Sequence, residues 1–269
     1  MAITYHAGRR IQGTSADTKS TNVQEGSRFE ETDTRKMYNF VVPSLTFEED
    51  WTSTPSGQTT TGSQVTESSN RINFAFTLNN SSNTYSLDLA NASNMGANLD
   101  DTKFVVRFKM FIQDMTSNGT GFFEIRLSDT ANTVPYPVVS ENSLGFYQDG
   151  RTGNLEYKAK EHTGTSVTYS SVTADTATYG TGVNVTRYVE FIRESVSSFK
   201  VKFYSDEYVT QVGSTSSVTA SSAHDALRYF SIGIRQMSGK VADIEGYIDD
   251  LKVYNGVTQT TNYWQEIGT

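Results

Sequence analysis

The sequence predicts an all-β protein, a two-sheet antiparallel sandwich. Three observations predict it: composition, a recurrent period of two, and turn chemistry at joints about ten residues apart. The 269 residues include 15 Tyr and 15 Phe but only four Pro, with Thr, Ser, Asn and Gly filling much of the remainder. Aromatic and β-branched residues suit a pleated, half-buried surface, and the small polar residues suit the turns between strands. The length allows one large β domain, or a large one with a small companion.

Residues 1–28 are polar, punctuated by Gly8, Gly13 and Gly26, and lack apolar periodicity. They read as an extended arm, either laid on a neighbouring subunit or loose. From residue 41 onward the alternation is repeated. Phe104, Val106, Phe108, Met110 and Ile112 share one strand face, with Val105, Arg107, Lys109 and Phe111 on the other. The pattern returns in Ile72–Leu78, Tyr85–Leu89, Phe123–Leu127, Val189–Phe191, Phe199–Phe203, Ile232–Ile234 and Leu251–Val253. Turn clusters such as Ser195-Val196-Ser197-Ser198 separate these runs, as a sandwich requires. The Ser/Thr-rich stretches at 53–70 and 165–182 read as long loops, and only Ala223–Leu227 reads as a helical turn.

The formal charge is −8, and none of the 22 basic residues forms a run, which disfavours a nucleic-acid surface. With no cysteine, disulfides, thiolate catalysis and cysteine-ligated zinc are excluded together. No stretch approaches the ~20 apolar residues of a membrane-spanning helix, and the sequence from Met1 to His6 does not read as a secretory leader. A leader removed beforehand is the alternative.

Two distant runs carry a resemblance. Arg28-Phe29-Glu30-Glu31-Thr32-Asp33-Thr34-Arg35-Lys36-Met37-Tyr38-Asn39-Phe40 and Tyr263-Trp264-Gln265-Glu266-Ile267-Gly268-Thr269 resemble the two strands of a hairpin module of tailed-virus structural proteins. The intervening piece begins with Leu45-Thr46-Phe47-Glu48-Glu49-Asp50-Trp51 and ends with Gly246-Tyr247-Ile248-Asp249-Asp250-Leu251-Lys252-Val253-Tyr254. These resemble the first and last strands of concanavalin A-like or laminin G-like jelly rolls and of jelly-roll carbohydrate-binding modules. The resemblance implies a jelly-roll sandwich inserted into a small β-hairpin module: an arm at 1–28, a split module at 29–40 plus 257–269, and a sandwich at 41–256. It implies that the first and last sandwich strands pair.

The resemblance also implies a structural calcium ion held by an acidic residue near the first strand and one on the last. Glu48 and Asp249 occupy those positions, with Asp50 and Asp250 as substitutes. Asp249 shares parity with Leu251 and Val253, so its carboxylate would point partly inward and need a partner, an ion or an arginine. For sugars, which stack on aromatic rings beside polar side chains, the candidates are Trp51, Tyr147, Tyr157 and Tyr204, with Arg126, Gln148 and Asn154 nearby. In a β protein this rich in Tyr and Phe, any one ring is more often core or edge packing.

Catalysis has little support in the sequence. Related sandwich glycosidases alternate three acids along one strand, whereas Asp243-Ile244-Glu245 supplies two acids and then Tyr247. His6, His162 and His224 are scattered, and read as solvated or structural. The leading expectation is a non-enzymatic virion structural protein: a capsid decoration, tail or fibre component. It would be a homo-oligomer assembled in the host cytoplasm, contacting other virion proteins or host surface glycans. A secreted cellular carbohydrate-binding module, hence extracellular, is the alternative, and a glycan hydrolase using Asp243 and Glu245 the third reading.

Overall fold

The computed structural model describes residues 4–5, 10–76, 83–117, 121–131, 141–149, 154–178, 184–236 and 242–268. Among them the regular structure is entirely β, and no helix is long and apolar enough to cross a membrane. In chain order the strands begin with β1 (Thr4–Tyr5), β2 (Arg10–Gly13), β3 (Arg28–Glu31), β4 (Met37–Val41), β5 (Phe47–Glu49), β6 (Gln58–Thr61) and β7 (Val65–Glu67). There follow β8 (Ile72–Phe76), β9 (Thr84–Asp88), β10 (Phe104–Ser117), β11 (Gly121–Ser128), β12 (Glu141–Asp149), β13 (Asn154–Gly164) and β14 (Ser166–Tyr169). The last are β15 (Asp175–Thr178), β16 (Val185–Ser195), β17 (Ser198–Tyr204), β18 (Gln211–Thr219), β19 (Tyr229–Gln236), β20 (Ala242–Asn255) and β21 (Tyr263–Gly268).

The chain divides into two compact units, Met1–Ser44 with Gln259–Thr269 and Leu45–Thr258. The first is a five-stranded sheet in the order β1-β2-β3-β4-β21. Its last pairing joins Val41 to Tyr263 and Phe40 to Trp264, so strands more than two hundred residues apart complete one sheet. Phe29 and Phe40 are buried, with the Trp264 ring 5.9 Å and 5.1 Å from them. Aromatic packing of this kind adds about 0.5–1.5 kcal/mol per pair beyond area burial.

The segment expected as an arm is built into this sheet. β2 runs parallel to β3, which places Ile11 opposite Phe29 and buries it. The polar residues after β2 fold back through side-chain bonds. Lys19 pairs with Glu31 at 2.7 Å while its ammonium lies over the rings of Phe29 and Tyr38, and the carbonyl of Ser20 accepts from Trp264 Nε1 at 3.0 Å. A lysine stem lying on aromatic rings leaves no apolar period in sequence, which is why the segment reads as unstructured.

The second unit is a sandwich of two antiparallel sheets. One has the order β18-β17-β16-β10-β20-β8-β7, with β5 beside β20; the other has β14-β13-β12-β11-β19-β9-β6, with β15 beside β13. Phe74, Phe108, Phe191 and Phe203 of the first sheet meet Phe123, Phe146 and Phe230 of the second, with ring centroids 5.1–6.0 Å apart across the core. Each fully buried ring contributes about 1.5–3 kcal/mol. The first and last strands of the sandwich pair, Phe47 with Val253 and Glu49 with Leu251.

Two loop readings and one helical reading are corrected. The 53–70 stretch contains β6 and β7, and the 165–182 stretch contains β14 and β15. Threonine-rich strands half open to solvent, as β6 and β14 are, carry too little apolar contrast to show an alternation. Ala223–Leu227 forms a turn without a helix. Leu78 and His6 lie outside the described residues.

Candidate functional site

The expected calcium ligands are arranged differently from the parity argument. Between Arg107↔Lys252 and Lys109↔Asp249 the register shifts, so Asp250 and Leu251 together oppose one residue of β10, and Asp250 has a positive φ of 56°. This β-bulge reverses the alternation. Leu251 and Ile248 are buried, while Asp249 turns outward and faces Lys109 at 3.8 Å. Asp250 and Glu48 converge on the Lys252 ammonium at 2.6 Å and 3.4 Å. Partial burial opposes the charge of Lys252, yet its bonds to these two carboxylates raise its pKa above the ordinary lysine value. Asp50 accepts from the backbone and hydroxyl of Thr52, and these bonds lower its pKa. The carboxylates thus face two lysines and a turn, where a calcium ion would need six to eight oxygen ligands. Among the described residues no three acidic or histidine side chains cluster as metal ligands.

The candidate sugar-stacking residues are interior. Trp51, Tyr147, Tyr157 and Arg126 are each about 2% exposed. Trp51 Nε1 donates to the Tyr85 hydroxyl at 3.1 Å, Tyr157 packs on Phe146 and Phe203, and Tyr147 lies 4.2 Å from the Tyr169 ring. Tyr204 donates to Glu190 at 3.0 Å beneath Tyr208, and Gln148 is buried; the Asn154 side chain lies outside the described residues. None of these rings offers a free face to a sugar.

Arg126 belongs to a buried ionic network that the alternation conceals. On β11, Phe123, Ile125 and Leu127 face the core, so Glu124 and Arg126 read as the solvent face; both are buried. Gly145 lies opposite Arg126, and a Cβ there would come within 2.2 Å of the Ile125 carbonyl, so only glycine fits between β11 and β13. Lys160 Nζ donates to Glu124 Oε2 at 2.6 Å, and Arg126 reaches Glu124 at 3.4 Å and Glu141 at 3.1 Å. His162 lies 3.3 Å from the same Glu141 oxygen, and His224 Nε2 donates to the His162 carbonyl. Burial pushes the Lys160 ammonium below the ordinary lysine range, against the pull of Glu124. Each formal charge has an opposite partner, so the network reads as structural.

A solvent-open site forms on the outer face of the other sheet, where β7, β8, β20 and β10 lie side by side. The β7–β8 hairpin turns through Ser69 and Asn70, both at positive φ (57° and 60°), and is closed by Ser68 N–H donating to the Arg71 carbonyl. Two consecutive positive-φ residues make the tight turn that matches strand twist, which sets Arg71 at the head of β8. Asn73 fixes the side chain above it. Its Nδ2 donates to Ser68 at 3.0 Å and its Oδ1 accepts from Arg71 Nε at 3.0 Å. The Arg71 guanidinium lies 4.1 Å from the centre of the Tyr247 ring, which in turn stacks on Phe111 at 5.0 Å.

Around this stack is a cavity of about 300 Å³, walled also by Gln64, Thr66, Gln113 and Glu245. Ala75 and Gly246 line it with little bulk, which leaves the space open. A Cβ on Gly246 would come within 2.0 Å of the Phe111 carbonyl and 3.0 Å of Phe74, so the strand approach itself demands glycine. A second register shift, between Ile112↔Gly246 and Asp114↔Glu245, turns Gln113 out into the rim. The sequence signal was present in Ser68-Ser69-Asn70-Arg71, a turn directly before an alternating run, and lay hidden inside an apparent loop. Of the third reading's acids, Glu245 is an exposed wall of this cavity, and the Asp243 side chain lies outside the described residues.

No family model matches the sequence, and no curated protein matches it. Solved structures similar to it include the CBM2 module of the Lactobacillus casei BL23 phage J-1 evolved Dit, at 12% identity and TM-score 0.45, covering 81% of this chain and 100% of that one. Another is botulinum neurotoxin type C, whose cell entry depends on interaction with two ganglioside molecules, at 11% identity and TM-score 0.48, covering 81% of this chain and 49% of that one. An alginate lyase from Pseudomonas aeruginosa is similar at 12% identity and TM-score 0.41, covering 72% of this chain and 86% of that one.

Proposed function

We propose that this chain is a non-enzymatic virion structural protein, a capsid decoration, tail or fibre component, whose sandwich is displayed for glycan attachment. The observation that carries the reading is the closure of β4 on β21 around a sandwich with its own core. An insertion of this kind leaves the displayed domain self-contained while both ends of the segment are committed to a separate small sheet, which serves as the mount. The cavity beside Tyr247 supports a binding task, because amides, a hydroxyl, a guanidinium and a carboxylate converging on one pocket are the polar chemistry that recognises sugars. In this reading the protein assembles in the host cytoplasm as a homo-oligomer, so that weak single contacts gain avidity by repetition.

The test is electron microscopy, with mass determination, of particles from the source and of the purified chain. Regular copies on the particle are expected. A chain that is never found on particles and is secreted as a monomer would sink the virion role, and the same cavity would then serve a secreted carbohydrate-binding module.

A further inference from the structure

We infer that the cavity between β7, β8, β20 and β10 takes an acidic sugar, with Arg71 receiving its carboxylate. The inference rests on the reading of that cavity as a saccharide site, and adds the class of sugar.

Arg71 is the one cation among the residues lining the cavity. Its Nε is used by Asn73 and one face of its guanidinium lies on Tyr247, yet its two terminal nitrogens have no hydrogen bond or ion pair among the described residues. This contrasts with Arg107, Arg126, Arg187 and Arg228, each of which is paired with a carboxylate. Glu245 walls the same cavity and forms no ion pair with Arg71.

The guanidinium is also held in place before any ligand arrives. Stacking on Tyr247, itself stacked on Phe111, fixes its plane, and Asn73, tied to the hairpin turn, fixes its rotation. A planar fork oriented in this way presents paired N–H groups, the geometry that matches a carboxylate in two parallel bonds and that an ammonium cannot reproduce. The remaining walls supply what a sugar's hydroxyls need: the Gln113 amide and Thr66 hydroxyl can donate or accept, and Glu245 can accept from two hydroxyls. A volume of about 300 Å³ is at the small end of ligand cavities and suits about one sugar ring, the rest of a glycan lying outside.

The test is titration of the full chain by calorimetry and ligand-observed NMR. The probes are oligosaccharides ending in glucuronic acid or N-acetylneuraminic acid, each paired with its analogue in which the carboxylate is reduced to an alcohol. Acidic probes are expected to bind at least about tenfold more tightly than their reduced partners, the scale of one charge-assisted pair. Arg71→Met should remove that preference and Arg71→Lys should restore only part of it, while Ala75→Trp, which fills the cavity, should abolish binding of every probe. Circular dichroism would confirm that each variant is folded. Equal binding of acidic and reduced probes, lost in Ala75→Trp, would overturn the acidic-sugar inference and leave the saccharide site standing. No binding, or binding indifferent to Ala75→Trp, would remove both.

Discussion

Removing the ammonium of Lys160 tests the structural reading of the buried network. Lys160→Met keeps the length of the side chain and deletes the 2.6 Å bond to Glu124. Glu124, fully buried, would retain only the 3.4 Å contact with Arg126, and its second oxygen already lacks a hydrogen bond. Breaking one partner of a buried pair costs about 3–5 kcal/mol, because the remaining charge stays in a low-dielectric site. For a domain of this size that corresponds to a midpoint lowered by roughly 6–20 °C. The double variant Glu124→Leu with Lys160→Met removes both charges and leaves Arg126 its 3.1 Å contact with Glu141, so most of the loss should be recovered. The chain has two tryptophans, one in each unit, so a Trp264→Phe background leaves Trp51 to report the sandwich alone. Urea unfolding followed by that fluorescence gives the free energies. A Lys160→Met variant within about 1 kcal/mol of the parent, or a double variant as unstable as the two singles added, would refute the account.

Other measurements probe other parts. Gly246→Ala drives a methyl into the Phe111 carbonyl and Phe74, and should destabilise the sandwich by about 1–3 kcal/mol in the same assay. Chelator should leave the thermal midpoint of the sandwich unchanged, since Glu48 and Asp250 already share Lys252; a clear drop would reinstate a cation. In the small sheet, the bond from Lys19, and then that from Thr34, holds the Glu31 carboxyl below its ordinary value, and Asp17 and Asp33 are lowered by bonds from Thr14 and Ser15. Groups lowered on folding add stability above their unfolded values, here 4.5 for Glu31 and 3.8 for the aspartates, and lose it as the pH falls through the folded ones. Acid titration of a Trp51→Phe chain, read through Trp264, should therefore show the small sheet loosening at low pH, with a shallower loss in Glu31→Gln; an identical acid profile would exclude Glu31 as the cause.

Much of the sandwich was legible because its core strands alternate without interruption. Phe104 and Phe108 on one strand, and Phe199 and Phe203 on another, place their rings inward as a period of two requires. The parity argument for Asp249 broke at one residue, Asp250, because a bulge leaves no compositional trace and yet shifts every side chain beyond it to the other face. The sugar candidates failed for a different reason. Aromatic residues beside polar neighbours occur equally in a core, and only the partner strand decides, as Tyr85 does for Trp51. Glu124 and Arg126 lay beyond a single-strand reading because their partners Glu141 and Lys160 come from two other strands of the sheet. Arg71 was concealed by the threonines and serines around it, although Asn70 marks the turn that positions it.

The order in which the ribosome delivers the strands gives the small sheet a further property. β3 and β4 emerge early, whereas β21 emerges only after every strand of the sandwich. Until the sandwich has folded, closing β21 on β4 means closing a loop of over two hundred residues. Once β5 has paired with β20, the gap shrinks to roughly fifteen residues of connector, which lowers the closure cost by about 2 kcal/mol. Pairing of β21 with β4 is therefore more favourable in chains whose sandwich is already folded. A chain truncated or misfolded within the sandwich would keep an open β4 edge, a row of unpaired backbone groups ready to pair with another chain.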